Sequence, residues 1–207
     1  MKRIVTLIGA CGLGMAAARS QTLLNSWETS LDGWTVANAA DFTNGGFSTT
    51  TGVTDGAYSW VVRNKTGHFN WDQVGDDPDL QGPASTGLTA LLGRAVSLTL
   101  DVYVPTNAPY TGNFVWGLEF SLYLSQPGGV RVVPISMREN GAILGATNTL
   151  TFSVAESLRA ALLGHSELPC SLRLAMGGGD PGTIFLDRLQ VNTDSRSGQS
   201  LGSRAVG

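Results

Sequence analysis

Basic clusters, cysteines and charged residues are all scarce in this sequence. Charged residues make up 14% of its 207 residues, and the formal net charge is −3. The sequence has no run of lysines or arginines that could form a basic patch against the phosphates of a nucleic acid, so we expect no nucleic-acid partner. The chain has two cysteines, Cys11 and Cys170, and Cys11 lies in the N-terminal apolar run that we expect to be removed, as described below. Cys170 alone cannot form an internal disulfide. The fold must therefore rest on a hydrophobic core, and a chain of this length can build one.

Sequence motifs for nucleophilic and metal-dependent hydrolysis are missing as well. The chain contains no Gly-x-Ser-x-Gly and no His-Glu-x-x-His. Its two histidines are His68 and His165, so few residues could serve as the histidine of a catalytic triad. An enzymatic activity would thus have to come from carboxylates.

The first twenty residues have the pattern of an export signal. Lys2 and Arg3 precede an apolar run over residues 4–18, which ends in three consecutive alanines. The run is too short and too rich in glycine for a membrane span, so we expect none once the signal is removed. We expect a secreted, extracellular protein whose mature chain begins between about Ala18 and Thr22.

The two cysteines have different settings. The segment Ile8-Gly9-Ala10-Cys11 loosely resembles a bacterial lipoprotein box, which leaves open a lipid anchor on Cys11. Few apolar residues precede that cysteine, however, for a lipoprotein signal. Cys170 stands next to an alternating apolar segment, and we interpret it as a small buried hydrophobic residue.

Glycine, in contrast, is abundant, with 27 residues, and it separates segments in which apolar and polar side chains alternate. A period of two indicates strands with one buried face. Residues 96–124 predict two long adjacent strands joined by a proline-containing turn. The apolar positions of this pair are Leu98, Leu100, Val102, Val104, Phe114, Trp116, Leu118, Phe120, Leu122 and Leu124.

The whole pattern predicts an all-β fold, a two-sheet antiparallel β-sandwich of the jelly-roll type, with one short helix near residues 154–163. For that helix, Ser153 and Glu156 have the spacing of a capping box. Leu158 and Leu162 follow at a spacing of four, which places both on one helix face.

The irregular segment 64–95 is the longest stretch without a clear strand pattern. It carries two aromatic residues, Phe69 and Trp71, which we interpret either as rings that stack on a ligand or as plugs that cap the sandwich. The predicted organisation of the chain is a signal peptide over residues 1–20, the sandwich domain over 21–192 and a flexible tail over 193–207.

The order of six segments along residues 26–191 resembles that of one known family. SWETSLDGWTV and GVTDGAYSWVV open the series, VSLTLDVYVP is central, and NTLTFSV, CSLRLAMGGG and TIFLDRLQV close it. In this order they resemble secreted carbohydrate-binding modules of the galactose-binding-like jelly-roll type. The resemblance implies a β-jelly roll that binds a polysaccharide or oligosaccharide. It also implies an association with a polysaccharide-degrading enzyme.

Glu28 and Asp187 each interrupt an apolar strand, where a carboxylate is unfavourable unless it is paired or bound to a metal. In modules of the type that the chain resembles, a glutamate of the first strand and an aspartate of the last commonly hold a structural calcium ion. The resemblance therefore implies a calcium site here, completed by backbone oxygens of residues 45–55. The alternative is a salt bridge of Asp187 with Arg188 or Arg63.

A sugar site requires aromatic rings beside charged or amide side chains that form bidentate hydrogen bonds. The polar face of the two central strands offers such groups, and neighbouring strands and the irregular segment add more. The candidate ligand-binding residues are Asp101, Tyr103, Glu119, Tyr123, Arg131, Arg173, Phe69 and Trp71.

The expected function is thus non-catalytic polysaccharide binding on a concave sheet face. One alternative is an extracellular structural or adhesion sandwich without a sugar site. A second is a small glycan-active hydrolase or lyase, in which Asp101 and Glu119 would be the carboxylate pair.

Overall fold

The computed structural model describes residues 19–36, 42–64, 80–106, 119–125, 130–131, 135–136, 143–177 and 182–194. Its strands are β1 (Arg19–Asn25), β2 (Thr35–Val36), β3 (Phe42–Ser48), β4 (Ser59–Asn64), β5 (Leu80–Gln81), β6 (Ala95–Tyr103), β7 (Glu119–Ser125), β8 (Val130–Arg131), β9 (Ile135–Ser136), β10 (Thr147–Ser153), β11 (Ser171–Gly177) and β12 (Gly182–Asp194). Its helices are α1 (Thr86–Leu92) and α2 (Glu156–Gly164).

These strands form two antiparallel sheets. Sheet A has the order β10-β6-β12-β4-β3, and β1 also pairs with β12. Sheet B has the order β2-β5-β11-β7-β8, and β9 also pairs with β7. The long strand β12 makes this arrangement compact, because it pairs with β6 on one side and with both β4 and β1 on the other.

The core lies between the two sheets. From sheet A, Leu98, Leu100 and Val102 are at most 1% exposed, as are Leu80 and Leu174 from sheet B. Burial of such side chains is the main favourable contribution to folding. The predicted all-β, two-sheet antiparallel sandwich is therefore confirmed, including the buried alternation of β6.

Three tryptophans close one part of this core. The ring of Trp27 lies 5.6 Å from that of Trp34 and 5.6 Å from that of Trp60, measured between centroids. The Trp27–Trp34 pair meets edge to face, an arrangement that aromatic rings favour. All three side chains are buried, so the opening segment of the chain is held against β4 by aromatic packing.

The prediction that the two strands of residues 96–124 are adjacent is wrong. β6 lies in sheet A, between β10 and β12, whereas β7 lies in sheet B, between β11 and β8. The alternation of a strand shows which of its residues share a face, but it carries no information about the neighbouring strand. The apolar positions 114, 116 and 118 lie outside the described residues.

The predicted helix is confirmed as α2, with Leu158 and Leu162 buried, but the capping box is wrong. Ser153 is still paired with Ser97 in the sheet, and the backbone N–H of Val154 donates to the carbonyl of Val96 at 3.0 Å. The N-cap is Ala155, which makes no side-chain hydrogen bond. Because Ser153 and Val154 still pair with β6, α2 begins only at Glu156.

A second helix, α1, occupies part of the segment for which the sequence indicated no strand. Ser85 caps it, because its hydroxyl accepts a hydrogen bond from the N–H of Leu88 at 3.0 Å. Cys170, which forms an isolated β-bridge with Ser85, is fully buried, as we expected. Burial raises the pKa of its thiol, so it is an unreactive part of the core.

At the edges of the described chain, β1 and β12 pair as far as Arg19 and Asp194. Residues 1–18, which contain the expected signal, and residues 195–207 of the expected tail lie outside the described residues, as do Phe69 and Trp71. None of the described helices has the length and hydrophobicity that a membrane crossing requires.

Candidate functional site

One row of residues runs across the whole of sheet B. Thr35 pairs with Gln81, Gln81 with Arg173, Arg173 with Tyr123, and Tyr123 with Arg131. Residues that stand opposite each other in antiparallel strands share a face of the sheet. These five residues, called the Arg173 row below, therefore lie on one face of five neighbouring strands.

This face points away from the core. The next positions along β5 and β11 are Leu80 and Leu174, which are 0% and 1% exposed. Successive residues of a strand point to opposite faces, so the Arg173 row lies on the outer face of sheet B. In agreement, Thr35 is exposed, and Gln81 and Arg173 are half-buried.

Small residues flank the row on this outer face. Ser121 pairs with Ala175 on one side, and Ser125 pairs with Ser171 on the other. Farther along β7, Glu119 pairs with both Gly177 and Ser136. At one end of this flank the outer face is covered, because Ser171 is only 2% exposed.

Arg173 has an unusual environment on this face. Its Nε atom is buried and has no hydrogen-bond partner. Among the described residues its guanidinium also forms no ion pair. A half-buried cation without an acceptor is unfavourable in a folded protein, so Arg173 is a group for which a ligand would provide what the chain does not.

Four of the residues predicted from the sequence are brought onto this one face: Glu119, Tyr123, Arg131 and Arg173. Sequence reasoning missed Thr35 and Gln81. Each stands in a strand of only two residues, where no alternation can be detected.

Asp101 and Tyr103 do not belong to this face, since β6 lies in the other sheet. The predicted grouping of these two residues with Glu119 and Tyr123 on adjacent strands is therefore wrong. The alternative in which Asp101 and Glu119 form a catalytic carboxylate pair is wrong for the same reason. Glu119 is on the outer face of sheet B, and the core separates that face from sheet A.

Asp101 is a buried member of a polar network, with 1% of its surface exposed. Its Oδ2 lies 2.7 Å from a terminal nitrogen of Arg188, and its Oδ1 accepts a hydrogen bond from the hydroxyl of Thr149 at 2.6 Å. The salt bridge considered for Asp187 is therefore formed by Asp101 instead. Arg188 reaches it from an irregularity in β12, where its φ is +40°.

Tyr103 is half-buried and packs edge to face against Phe185, with ring centroids 5.7 Å apart. Gly52 lies directly over this pair. A Cβ atom at Gly52 would come within 2.6 Å of the Cβ of Phe185 and 3.3 Å of that of Tyr103. The loop that contains Gly52 thus covers part of the surface on which a sugar would have to stack.

Asp187 is fully buried beneath the same loop. Its Oδ2 accepts hydrogen bonds from the N–H of Thr54 at 2.6 Å, the hydroxyl of Thr54 at 3.1 Å and the N–H of Asp55 at 2.9 Å. Its Oδ1 accepts one from the N–H of Arg188 at 2.7 Å. Burial raises the pKa of Asp187, although these hydrogen bonds act to lower it.

Glu28 contacts the next residues of that loop. Its Oε2 accepts a hydrogen bond from the N–H of Ala57 at 2.6 Å, while its Oε1 is buried without a partner. The residues from Thr54 to Ala57 thus contact both carboxylates that were predicted to bind calcium. A buried, unpartnered carboxylate oxygen is a donor that fits a hard cation.

The rest of the donor set fits calcium less completely. The oxygens of Asp187 already accept four hydrogen bonds, so this carboxylate is satisfied without a metal. In the part of the chain that the structure describes, no group of three or more histidine, cysteine, aspartate or glutamate residues is placed to hold an ion. Backbone oxygens would have to supply the remaining ligands.

Comparison with known proteins gives similarity in structure only. No protein-family model matches the chain, and no curated protein matches it. The carbohydrate-binding module CBM27-1 of Caldicellulosiruptor saccharolyticus, solved with mannohexaose, superposes with a TM-score of 0.50 at 12% identity, covering 83% of this chain and 96% of that one.

Two further solved structures have lower scores. Carbohydrate-binding modules described as members of the β-sandwich superfamily give a TM-score of 0.48 at 15% identity, over 77% of this chain and 57% of that one. The C-terminal family 22 carbohydrate-binding module of Clostridium thermocellum Xyn10B gives 0.45 at 14% identity, over 82% and 91%. The chain therefore spans 57% of the length of the first of these two. With the CBM27-1 superposition, the expected resemblance is confirmed at the level of fold: the chain has the same β-sandwich fold as that module.

Proposed function

We propose that the chain is a non-catalytic module that binds a polysaccharide on the outer face of sheet B. The Arg173 row carries this proposal, because it combines an aromatic residue with guanidinium, amide and hydroxyl groups at one level of five strands. An aromatic ring stacks on the apolar C–H face of a sugar, and the polar groups bond its hydroxyls.

The length of the row favours a chain of sugars over a single one. Neighbouring strands lie about 4.8 Å apart, so the row extends over about 19 Å. A ligand that follows it would contact several sugar rings in succession. The fold that the chain shares with a module solved with mannohexaose is in keeping with an oligosaccharide ligand.

A matched pair of tyrosine variants tests this assignment. Tyr123→Ala should weaken binding to a soluble polysaccharide by about 1–3 kcal/mol, the scale of a buried aromatic contact. Tyr103→Ala, on the covered face of sheet A, should leave binding unchanged. Affinity measurements of both variants against a panel of soluble polysaccharides decide it. If Tyr103→Ala lost affinity and Tyr123→Ala kept it, the ligand would lie on sheet A.

The structural or adhesion domain without a sugar site is the alternative outcome of the same experiment. A wild-type protein that folds normally and binds no member of a broad panel would contradict the binding module. It would favour that alternative.

We also propose that Glu28 and Asp187 take part in a structural calcium site. The unpartnered Oε1 of Glu28 supports it, since a cation would satisfy this buried oxygen. Calcium should then raise the melting temperature, and a chelator should lower it, because a ligand of the folded state stabilises that state. Glu28→Gln should lose this response. Equal melting temperatures of the wild type with calcium and with chelator would contradict the site.

Export through an N-terminal signal remains a proposal for the cellular location. Cleavage after Ala18 would leave all of β1 in place, whereas cleavage at Thr22 would remove three of its residues, which pair with β12. We therefore expect the mature chain to begin near Arg19, and sequencing of the exported protein tests this.

A lipid on Cys11 would appear in the mass of the mature protein. Co-purification from culture medium tests an association with a polysaccharide-degrading enzyme.

A further inference from the structure

We propose that the polysaccharide bound by sheet B is acidic, and that a carboxylate of one of its uronic acid units pairs with Arg173. This inference rests on the proposed function, and it names the chemical class of the ligand.

The first observation is the unpartnered guanidinium of Arg173. Its Nε is buried without an acceptor, and among the described residues no carboxylate pairs with it. Arg188 on sheet A provides the internal comparison. Its guanidinium is also partly buried, with 36% of the side chain exposed, and Asp101 neutralises it at 2.7 Å. The fold thus supplies a carboxylate to Arg188 and not to Arg173, and the Nε of half-buried Arg159 in α2 is likewise buried without a partner. Of the two unpartnered arginines, Arg173 is the one that lies on a sheet face.

The second observation is the charge of the row. Two of its five residues, Arg173 and Arg131, are cationic, and none is acidic. Glu119 shares the outer face, but it stands four residues from Tyr123 along β7, which is about 13 Å. The row therefore contains no acidic residue that could pair with Arg173, within a chain whose net charge is −3.

The chemistry of the guanidinium then selects the ligand. A carboxylate accepts two parallel hydrogen bonds from a guanidinium and neutralises its charge, whereas a sugar hydroxyl does neither. Arg131 stands in the same row, two strands from Arg173. Because the whole chain is acidic, non-specific attraction of a polyanion would not produce the same binding.

The experiment uses pairs of polysaccharides that differ only in charge. Polygalacturonate, alginate and glucuronoxylan are each compared with their carboxyl-reduced forms, in which the acid has become a neutral sugar. The wild-type protein should bind at least one acidic form about ten- to hundred-fold more tightly than its reduced form, the range for a charge-assisted hydrogen bond. This binding should weaken as salt is added.

Two arginine variants complete the design. Arg173→Gln should lose the preference for the acidic form, and Arg173→Lys, which keeps the charge without the planar fork, should keep part of it. Arg94→Gln is the control, because it removes the same charge from an exposed position after α1. It should bind like the wild type. Melting curves of all variants show that each remains folded.

The outcomes separate this inference from the proposed function. Equal binding of acidic and reduced forms, or binding of neutral polysaccharides alone, overturns the acidic ligand and leaves the binding module intact. An acidic preference that Arg173→Gln retains overturns the role of Arg173. A wild-type protein that binds no polysaccharide of either kind overturns the proposed function itself.

Discussion

At the scale of single residues, Asp101 and Arg188 show how a polar side chain of a strand can serve the fold. The carboxylate is buried, and its ion pair with Arg188 replaces the water that it loses. Alternation along β6 correctly placed Asp101 on the polar face, but alternation cannot tell an open polar face from a covered one. Burial of this carboxylate depends on β10 and β12, which meet β6 only through tertiary pairing.

Removal of one partner of this pair should be costly. We expect Arg188→Ala to lower the free energy of unfolding by about 3 kcal/mol, the lower end for a broken buried pair, because the guanidinium is partly exposed. Asp101→Asn with Arg188→Ala should recover part of that loss, since no uncompensated charge remains. Urea unfolding of both single variants and the double variant measures the coupling. Strictly additive effects would contradict the pair.

Asp187 gives a prediction about pH in the presence of a chelator. Its folded pKa is raised by burial above an unfolded value of about 3.9, so the folded state binds the proton more tightly. The stabilisation that Asp187 contributes to the free energy of unfolding is therefore fully present below that unfolded pKa. It is lost as pH rises through the folded pKa. Relative to Asp187→Asn, the wild type should lose stability over this window. Thermal melts from about pH 3.5 to 6.5 test it, and a relative gain would contradict it.

At the scale of elements, α2 is a helix whose start is decided by its neighbours. The capping box at Ser153 is a local signal, and the pairing of Ser153 and Val154 with β6 overrides it. The helix is left with Ala155 as its N-cap, a residue that offers no side-chain acceptor.

A better cap should therefore stabilise the protein. Ala155→Ser should raise the free energy of unfolding by about 1 kcal/mol, because the hydroxyl can accept a hydrogen bond from a free N–H of the first turn. The same change at Ala161, an exposed position inside α2, is the control and should lower stability by about 0.5 kcal/mol. Chemical denaturation compares the two. If Ala155→Ser were no more stable than Ala161→Ser, the N–H groups of the first turn would already have hydrogen-bond partners.

Strand length decided how much of the site could be predicted. β7 and β11 are seven residues long, and their alternation placed Tyr123 and Arg173 on polar faces. β2 and β5 have two residues each, so no sequence pattern indicated that Thr35 and Gln81 continue the same row. The row emerges only from the register of five strands, which a single sequence does not specify.

At the scale of the whole molecule, the two sheets have different surfaces. The carboxylates of sheet A are covered from solvent: Asp101 is paired with Arg188, and a loop covers Asp187. Sheet B has the Arg173 row on its outer face, where the guanidinium of Arg173 lacks a partner among the described residues. The buried core between them separates the two faces, so a ligand on one sheet would not contact the other.

Nuclear magnetic resonance of the labelled protein tests this division most directly. The protein is titrated with a soluble oligosaccharide derived from the polysaccharide that it binds most tightly. We expect chemical-shift changes at the amides of Thr35, Gln81 and Arg173, with little change at Thr99, Asp101 and Tyr103 of sheet A. Changes concentrated on those sheet A amides, with sheet B unaffected, would contradict the placement of the binding face.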